Sequence, residues 1–206
     1  MSASPDFIHA WVPGQSGRTL LLLHGTGGTE NDLVPLGRSL DSDANLLSPR
    51  GRVLENGMPR FFRRLAEGIF DEKDLIERTH ELADFLETAA AKYAFDPGRL
   101  VAIGYSNGAN IAGGLLLLRP AALAGAALLR PMVPLVPESK PDLKGVSALI
   151  VAGRQDPIVP AGEARELAAL LESSGADVSI SIENAGHGLT GETVETTRAW
   201  LAALKG

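Results

Sequence analysis

The chain has 206 residues, 45% of them hydrophobic and 21% charged, with a formal net charge of −6 and no cysteine. That composition excludes a disordered chain, which needs low hydrophobicity, and it excludes disulfides, thiolate metal sites and a cysteine nucleophile. The acidic balance speaks against generalised binding to nucleic acid or to an acidic membrane surface.

The length suits one domain spanning 1–206, which on folding buries roughly 70% of its unfolded surface without covalent staples. In chain order, residues 18–24 (RTLLLLH) are a continuous apolar run halted by Gly25 and read as a buried strand. A shorter strand is expected at 44–48, ending at Pro49. Leu75, Ile76, Leu82, Ala83, Leu86, Ala90 and Tyr93 recur at helical spacing, so 75–94 is an amphipathic helix. Asp96-Pro97-Gly98 closes it as a turn. Strands follow at 99–105, 124–129, 146–152 and 178–182, with helices at 106–118, 161–173 and 193–204. No apolar run approaches the roughly 20 residues of a membrane helix. The first ten residues lack the basic start and apolar run of a signal peptide, so a cytoplasmic location without membrane insertion is expected.

Apolar strands separated by helices imply a mainly parallel central sheet with helices on both faces. Ligands of such sheets sit beyond the carboxyl ends of the strands. Chemistry is therefore expected just after residues 24, 48, 105, 130, 152 and 183.

Gly104-Tyr105-Ser106-Asn107-Gly108 lies at such a place. A serine on a sharp strand-to-helix turn is held in a strained conformation that lifts its hydroxyl above the sheet. Strand and helix pass so closely there that the positions two before and two after it must be small, as Gly104 and Gly108 are. With this much glycine the pattern also arises by chance, and the strand before and helix after give it weight. A serine hydroxyl needs a base, and the base needs an orienting carboxylate. Asp156, in GRQDPIVP at 153–160, and His187, in AGHG at 185–188, each follow an expected strand, in the order acid then histidine. Taken alone, Asp156 is also a fair turn former before Pro157. Of the other histidines, His9 and His80 lie away from strand ends, and His24 reads as a structural pin for its loop. The candidate catalytic set is Ser106, Asp156 and His187.

A developing oxyanion needs two backbone N–H groups aimed at one point. Asn107, after the serine, and Thr26, in HGTGG at 24–28, are the candidates. A dinucleotide loop is the competing reading of HGTGG, but G-x-G-x-x-G fails at Glu30. With HGTGG, GYSNG, GRQDPIVP and GHG in this order over nearly the whole chain, the sequence resembles the α/β-hydrolases. Within them it resembles the carboxylesterase/phospholipase family, which includes acyl-protein-thioesterase-like enzymes. The resemblance implies an α/β-hydrolase fold and a serine carboxylesterase cleaving small to medium soluble esters through an acyl-enzyme. Thioesterase or lysophospholipase activity, or a non-catalytic binding protein on the same scaffold, are the alternatives. Many family members carry Gln after the serine where this chain has Asn107, and only the backbone N–H is required there. Related dienelactone hydrolases typically use a cysteine nucleophile, which points away from that branch. No metal or organic cofactor is expected, the partner is a small-molecule ester, and monomer or homodimer is left open.

Residues 50–64 (RGRVLENGMPRFFRR) hold Arg50, Arg52, Arg60, Arg63 and Arg64 against one acid, Glu55. They follow an expected strand end and resemble a segment found in a bacterial subgroup of these esterases. One reading makes Met58, Phe61, Phe62 and Phe70 an apolar substrate wall with an arginine for a carboxylate or phosphate. The other makes the segment a solvated loop whose arginines pair with Glu67, Asp71, Glu72 and Asp74. Only about fifteen residues separate the strands ending near Arg130 and starting at Val146, which leaves no room for the helical lid of larger α/β-hydrolases.

Overall fold

The computed structural model describes residues 6–204. The chain runs through β1 (His9–Val12), β2 (Thr19–Leu23), α1 (Val34–Leu40) and β3 (Asn45–Pro49). Two small hairpins follow, β4 (Val53–Glu55) with β5 (Met58–Arg60), and β6 (Arg64–Ala66) with β7 (Ile69–Phe70). Then come α2 (Glu72–Tyr93), β8 (Leu100–Tyr105), α3 (Asn107–Leu118), β9 (Gly125–Leu129), β10 (Ser147–Gly153), α4 (Ala161–Ser173), β11 (Asp177–Glu183) and α5 (Gly191–Ala203). Seven strands form one sheet in the order β1-β3-β2-β8-β9-β10-β11. Neighbours are parallel except at the edge, where β1 runs antiparallel to β3.

Side chains alternate across each central strand and feed two cores, as the period of two requires. Leu21 and Leu23 of β2, Ala102 of β8, Leu128 of β9 and Ile150 of β10 face the core that also takes residues of α2, α3 and α4. Leu20, Leu22, Ile103, Leu129 and Val151 face the other, which takes Leu40 of α1 and Leu201 of α5. Strands apolar on both faces are what a sheet covered on both sides demands. Each fully buried leucine contributes about 1.5–3 kcal/mol relative to exposure.

The expected strands and helices are present, with ends shifted by a few residues. Helix α2 begins earlier than its apolar stripe because its first turn is polar: the Asp71 side chain accepts the Asp74 N–H as an N-cap. The edge strand β1, the two hairpins and α1 are additions to the sequence reading. Residues 131–146 contain no helix or strand, so the lid of larger relatives is absent from that connection. Among the described residues no helix is long and apolar enough to cross a membrane.

Candidate active site

Ser106 stands between β8 and α3 with φ 53° and ψ −115°, a conformation side chains rarely adopt. The glycines around it are dictated by contact. A Cβ on Gly104 would lie 2.5 Å from the Gly108 carbonyl oxygen, and one on Gly108 would overlap the Leu23 carbonyl of β2. The hydroxyl is thereby presented at the carboxyl edge of the sheet.

The structure brings Ser106, His187 and Asp156 together from the ends of three strands. His187 Nε2 lies 2.9 Å from Ser106 Oγ, and His187 Nδ1 lies 2.7 Å from Asp156 Oδ2. A carboxylate can only accept, so Nδ1 carries the proton and Nε2 offers a lone pair to the serine hydroxyl. The other carboxylate oxygen of Asp156 is not idle: Oδ1 accepts the N–H groups of Ile158 at 2.8 Å and Val159 at 3.0 Å. One oxygen of the carboxylate thus serves the turn, and the other faces His187. Its side chain is 1% exposed, against 17% for His187.

Thr26 and Asn107 lie at the ends of β2 and β8 on the same cleft. Among the described residues, no hydrogen bond inside the protein consumes the backbone N–H of either. His24 pins the Thr26 loop. Its Nε2 accepts the Gly51 N–H at 2.9 Å, which leaves Nδ1 to donate to the Gly25 carbonyl at 2.7 Å. Burial holds the His24 pKa below the ordinary histidine value.

The cleft around Ser106 has a volume of about 340 Å³. Of the four side chains expected to form its wall, only Phe70 lines it. Phe61 and Phe62 are core residues, 3% and 0% exposed, packed beneath the hairpins. Met58 is exposed and sits beside Gly27 of the Thr26 loop, outside the cleft lining. Phe61 and Phe62 join two small hairpins that are separate from the main sheet, and their rings turn into the main core, Phe61 against His24 and Phe62 against Phe70. All five arginines of the segment form ion pairs. Arg63 pairs with Asp71 and Asp74, as one reading expected, while the others reach Glu30, Glu81 and Glu55. Arg60 and Arg64 nevertheless line the cleft. Arg60 is buried, and its guanidinium donates to Thr26 Oγ1 at 2.6 Å and to the Phe62 carbonyl at 3.1 Å. Desolvation holds its pKa below the ordinary arginine value.

Sequence reasoning missed three features of the site. The first hairpin is bonded to both candidate oxyanion segments: Arg60 reaches Thr26, the Pro59 carbonyl accepts the Gly27 N–H, and the Phe61 N–H donates to Asn107 Oδ1 at 2.7 Å. The Tyr105 hydroxyl donates to the His187 carbonyl. Arg130, at the end of β9, is fully buried and bonded to the His187 loop. The Asn56-Gly57 turn was a legible signal for the first hairpin, since both residues have positive φ as such a turn requires. Among the described residues no group of three or more His, Asp or Glu side chains is arranged to hold a metal ion.

A mainly parallel sheet with the serine on a strand-to-helix elbow, and the aspartate and histidine after later strands, defines an α/β-hydrolase. The comparisons make the assignment narrower. Residues 60–203 match the dienelactone hydrolase family, and the chain belongs to that family. The absence of cysteine pointed away from this branch, so a cysteine nucleophile does not mark the family's limit. MhqD of Bacillus subtilis (strain 168), a protein named as a hydrolase, is 52% identical over 192 residues, 93% of this chain and 96% of that one. The crystal structure of a Bacillus cereus carboxylesterase is 53% identical, covers 97% of this chain and 95% of its own, and superposes with a TM-score of 0.94. A carboxylesterase from Mesorhizobium loti is 36% identical over 92% of this chain and 90% of its own, with a TM-score of 0.88. The chain is a hydrolase of carboxylesterase type.

Proposed function

We propose that the chain hydrolyses small to medium soluble carboxylic esters through an acyl-enzyme on Ser106. The observation that carries this reading is the unbroken run of hydrogen bonds from Ser106 Oγ through His187 to Asp156, at 2.9 and 2.7 Å. Ser106 Oγ attacks the ester carbonyl carbon while His187 Nε2 takes its proton. The carbonyl oxygen becomes an oxyanion, received by the N–H groups of Thr26 and Asn107. Asp156 holds the Nδ1–H tautomer and stabilises the imidazolium. The tetrahedral intermediate collapses, and the alcohol leaves with the proton from Nε2. Water then gives a proton to Nε2 and attacks the acyl carbon, releasing the acid and restoring Ser106. A cleft without a helical lid favours dissolved substrates over a lipid interface.

Labelling with a fluorophosphonate tests the reading. One equivalent should react with the wild type and none with Ser106→Ala, whose hydrolysis of p-nitrophenyl acetate should vanish. A Ser106→Ala variant within tenfold of wild type would overturn it. A protein that fails to label would be a binding protein on a hydrolase scaffold. Acyl-CoA substrates run beside the esters separate thioesterase from esterase activity.

A further inference from the structure

We propose that Arg130 is a positioning residue that fixes the reach of His187 to Ser106, an inference that rests on the proposed roles of those two residues. Arg130 follows β9, is 0% exposed and has φ 58°, so a strained backbone and a desolvated cation coincide at one residue. Its guanidinium forms an ion pair with Glu183 at 2.8 Å, and both side chains are fully buried. Glu183 ends β11, so the pair spans β10, whose Val151 carbonyl accepts from both the backbone N–H and Nη1 of Arg130. Glu183 Oε2 is held in turn by the hydroxyls of Thr190 and Thr193.

The pair is anchored on the segment that carries the base. Arg130 Nε donates to the Gly186 carbonyl at 3.0 Å and Nη2 to the Gly188 carbonyl at 3.1 Å. These are the residues on either side of His187, both glycines, with no side chain to fix their backbone. The Ala185 carbonyl is held separately by the Gln155 N–H, and the His187 carbonyl by the Tyr105 hydroxyl. On the opposite flank, Leu129, the neighbour of Arg130, accepts the Ser106 N–H at 2.9 Å. One two-residue corner therefore touches the backbone of the nucleophile and the loop of the base. A planar fork suits this task. Lysine keeps the charge but cannot reach two carbonyls and a carboxylate in fixed directions. A misplacement of about 1 Å in a reacting group costs on the order of 10²-fold in rate.

The test compares Arg130→Lys, the double variant Arg130→Met/Glu183→Leu, and Leu82→Ala of α2 as a control that opens a cavity in the core on the other face of the sheet from Thr193 and α5. The double variant leaves no unpaired buried charge, which keeps it able to fold. Each is assayed for p-nitrophenyl acetate hydrolysis and fluorophosphonate labelling, below its unfolding midpoint by circular dichroism. Both Arg130 variants should lose at least tenfold in kcat with KM within threefold of wild type, and their labelling rates should fall in parallel. The Leu82→Ala control should lose stability and keep its kcat. A folded Arg130 variant that loses less than tenfold in kcat would overturn the proposal, as would an equal kcat loss in the control. Ser106→Ala in the same assay keeps the two questions apart: if it remains active, the triad reading fails, whatever Arg130 does.

Discussion

Replacing Asp156 by asparagine is expected to lower kcat by about 10³–10⁴, the scale of a base held in the wrong tautomer. The structure dictates which way the new amide faces. Oδ1 accepts two backbone N–H groups, from Ile158 and Val159, so the amide oxygen of the variant must stay there. The NH₂ group then occupies the place of Oδ2, 2.7 Å from His187 Nδ1. An N–H donor facing Nδ1 forces the imidazole to carry its proton on Nε2, where it can no longer accept one from Ser106. Flipping the amide would restore the tautomer but set NH₂ against two N–H donors. The Ile158 N–H is exposed and can turn to water, whereas the Val159 N–H is partly buried, so the flip costs about 1–3 kcal/mol for a lost acceptor, besides the repulsion of NH₂ against two N–H groups. A 10⁴-fold loss corresponds to about 5.5 kcal/mol, so flipping can recover only part of the rate. The assay is steady-state hydrolysis of p-nitrophenyl acetate, with Ser106→Ala as the floor and Asp156→Ala beside it. A loss smaller than tenfold would refute the argument and assign the orienting acid elsewhere.

Phe62→Ala is expected to cost about 3–5 kcal/mol of stability in urea unfolding, as a core truncation does. It should leave acyl-chain preference unchanged. Phe70→Ala should do the reverse, shifting kcat/KM between short and longer acyl chains roughly tenfold for two lost methylene contacts. Arg64→Ala, measured on matched neutral and carboxylate-bearing esters, should lose the acidic ester selectively, and equal losses would leave Arg64 as a partner of Glu55 alone. His24 has a folded pKa below its unfolded one, so below the ordinary histidine value the unfolded chain binds more protons and stability falls with pH. The melting temperature of the wild type should therefore drop more steeply than that of His24→Asn as pH falls from 7 toward 5. Parallel slopes would show that His24 takes no part in the acid loss.

The central strands were legible because burial on both faces writes an uninterrupted apolar run, and α2 because one stripe of a long helix must meet the sheet. The first hairpin was legible only through its Asn56-Gly57 turn, because strands of two or three residues carry too little periodicity. Leu54 and Ile69 even point to solvent. Helix α1, seven residues with Gly37 within it, owes its place to contact. A Cβ on Gly37 would meet Leu22 at 2.9 Å, so the glycine lets the helix lie close on the sheet. Phe61 and Phe62 were misplaced for a related reason. An aromatic pair beside a site and an aromatic pair under a hairpin read the same in sequence, and only the third dimension separates them.

The site itself divides along the same line. Ser106, Asp156 and His187 could be nominated because a parallel sheet delivers the residues after its strands to one edge, so chain position alone implies proximity. Thr26 and Asn107 follow from the same rule. Arg60 and Arg130 obey it too, since each lies on the carboxyl side of the sheet, but what they do depends on bonds between loops that sequence order does not encode. Arg130 nevertheless left a physical trace. An arginine ending the apolar run 125–129 and a glutamate ending 177–183 are both carried to the buried edge of the sheet. A charge there must find a partner or pay several kcal/mol of desolvation. Two opposite charges at the ends of strands one apart in the sheet satisfy that demand only by meeting across the strand between them. Their meeting holds the carbonyls flanking His187.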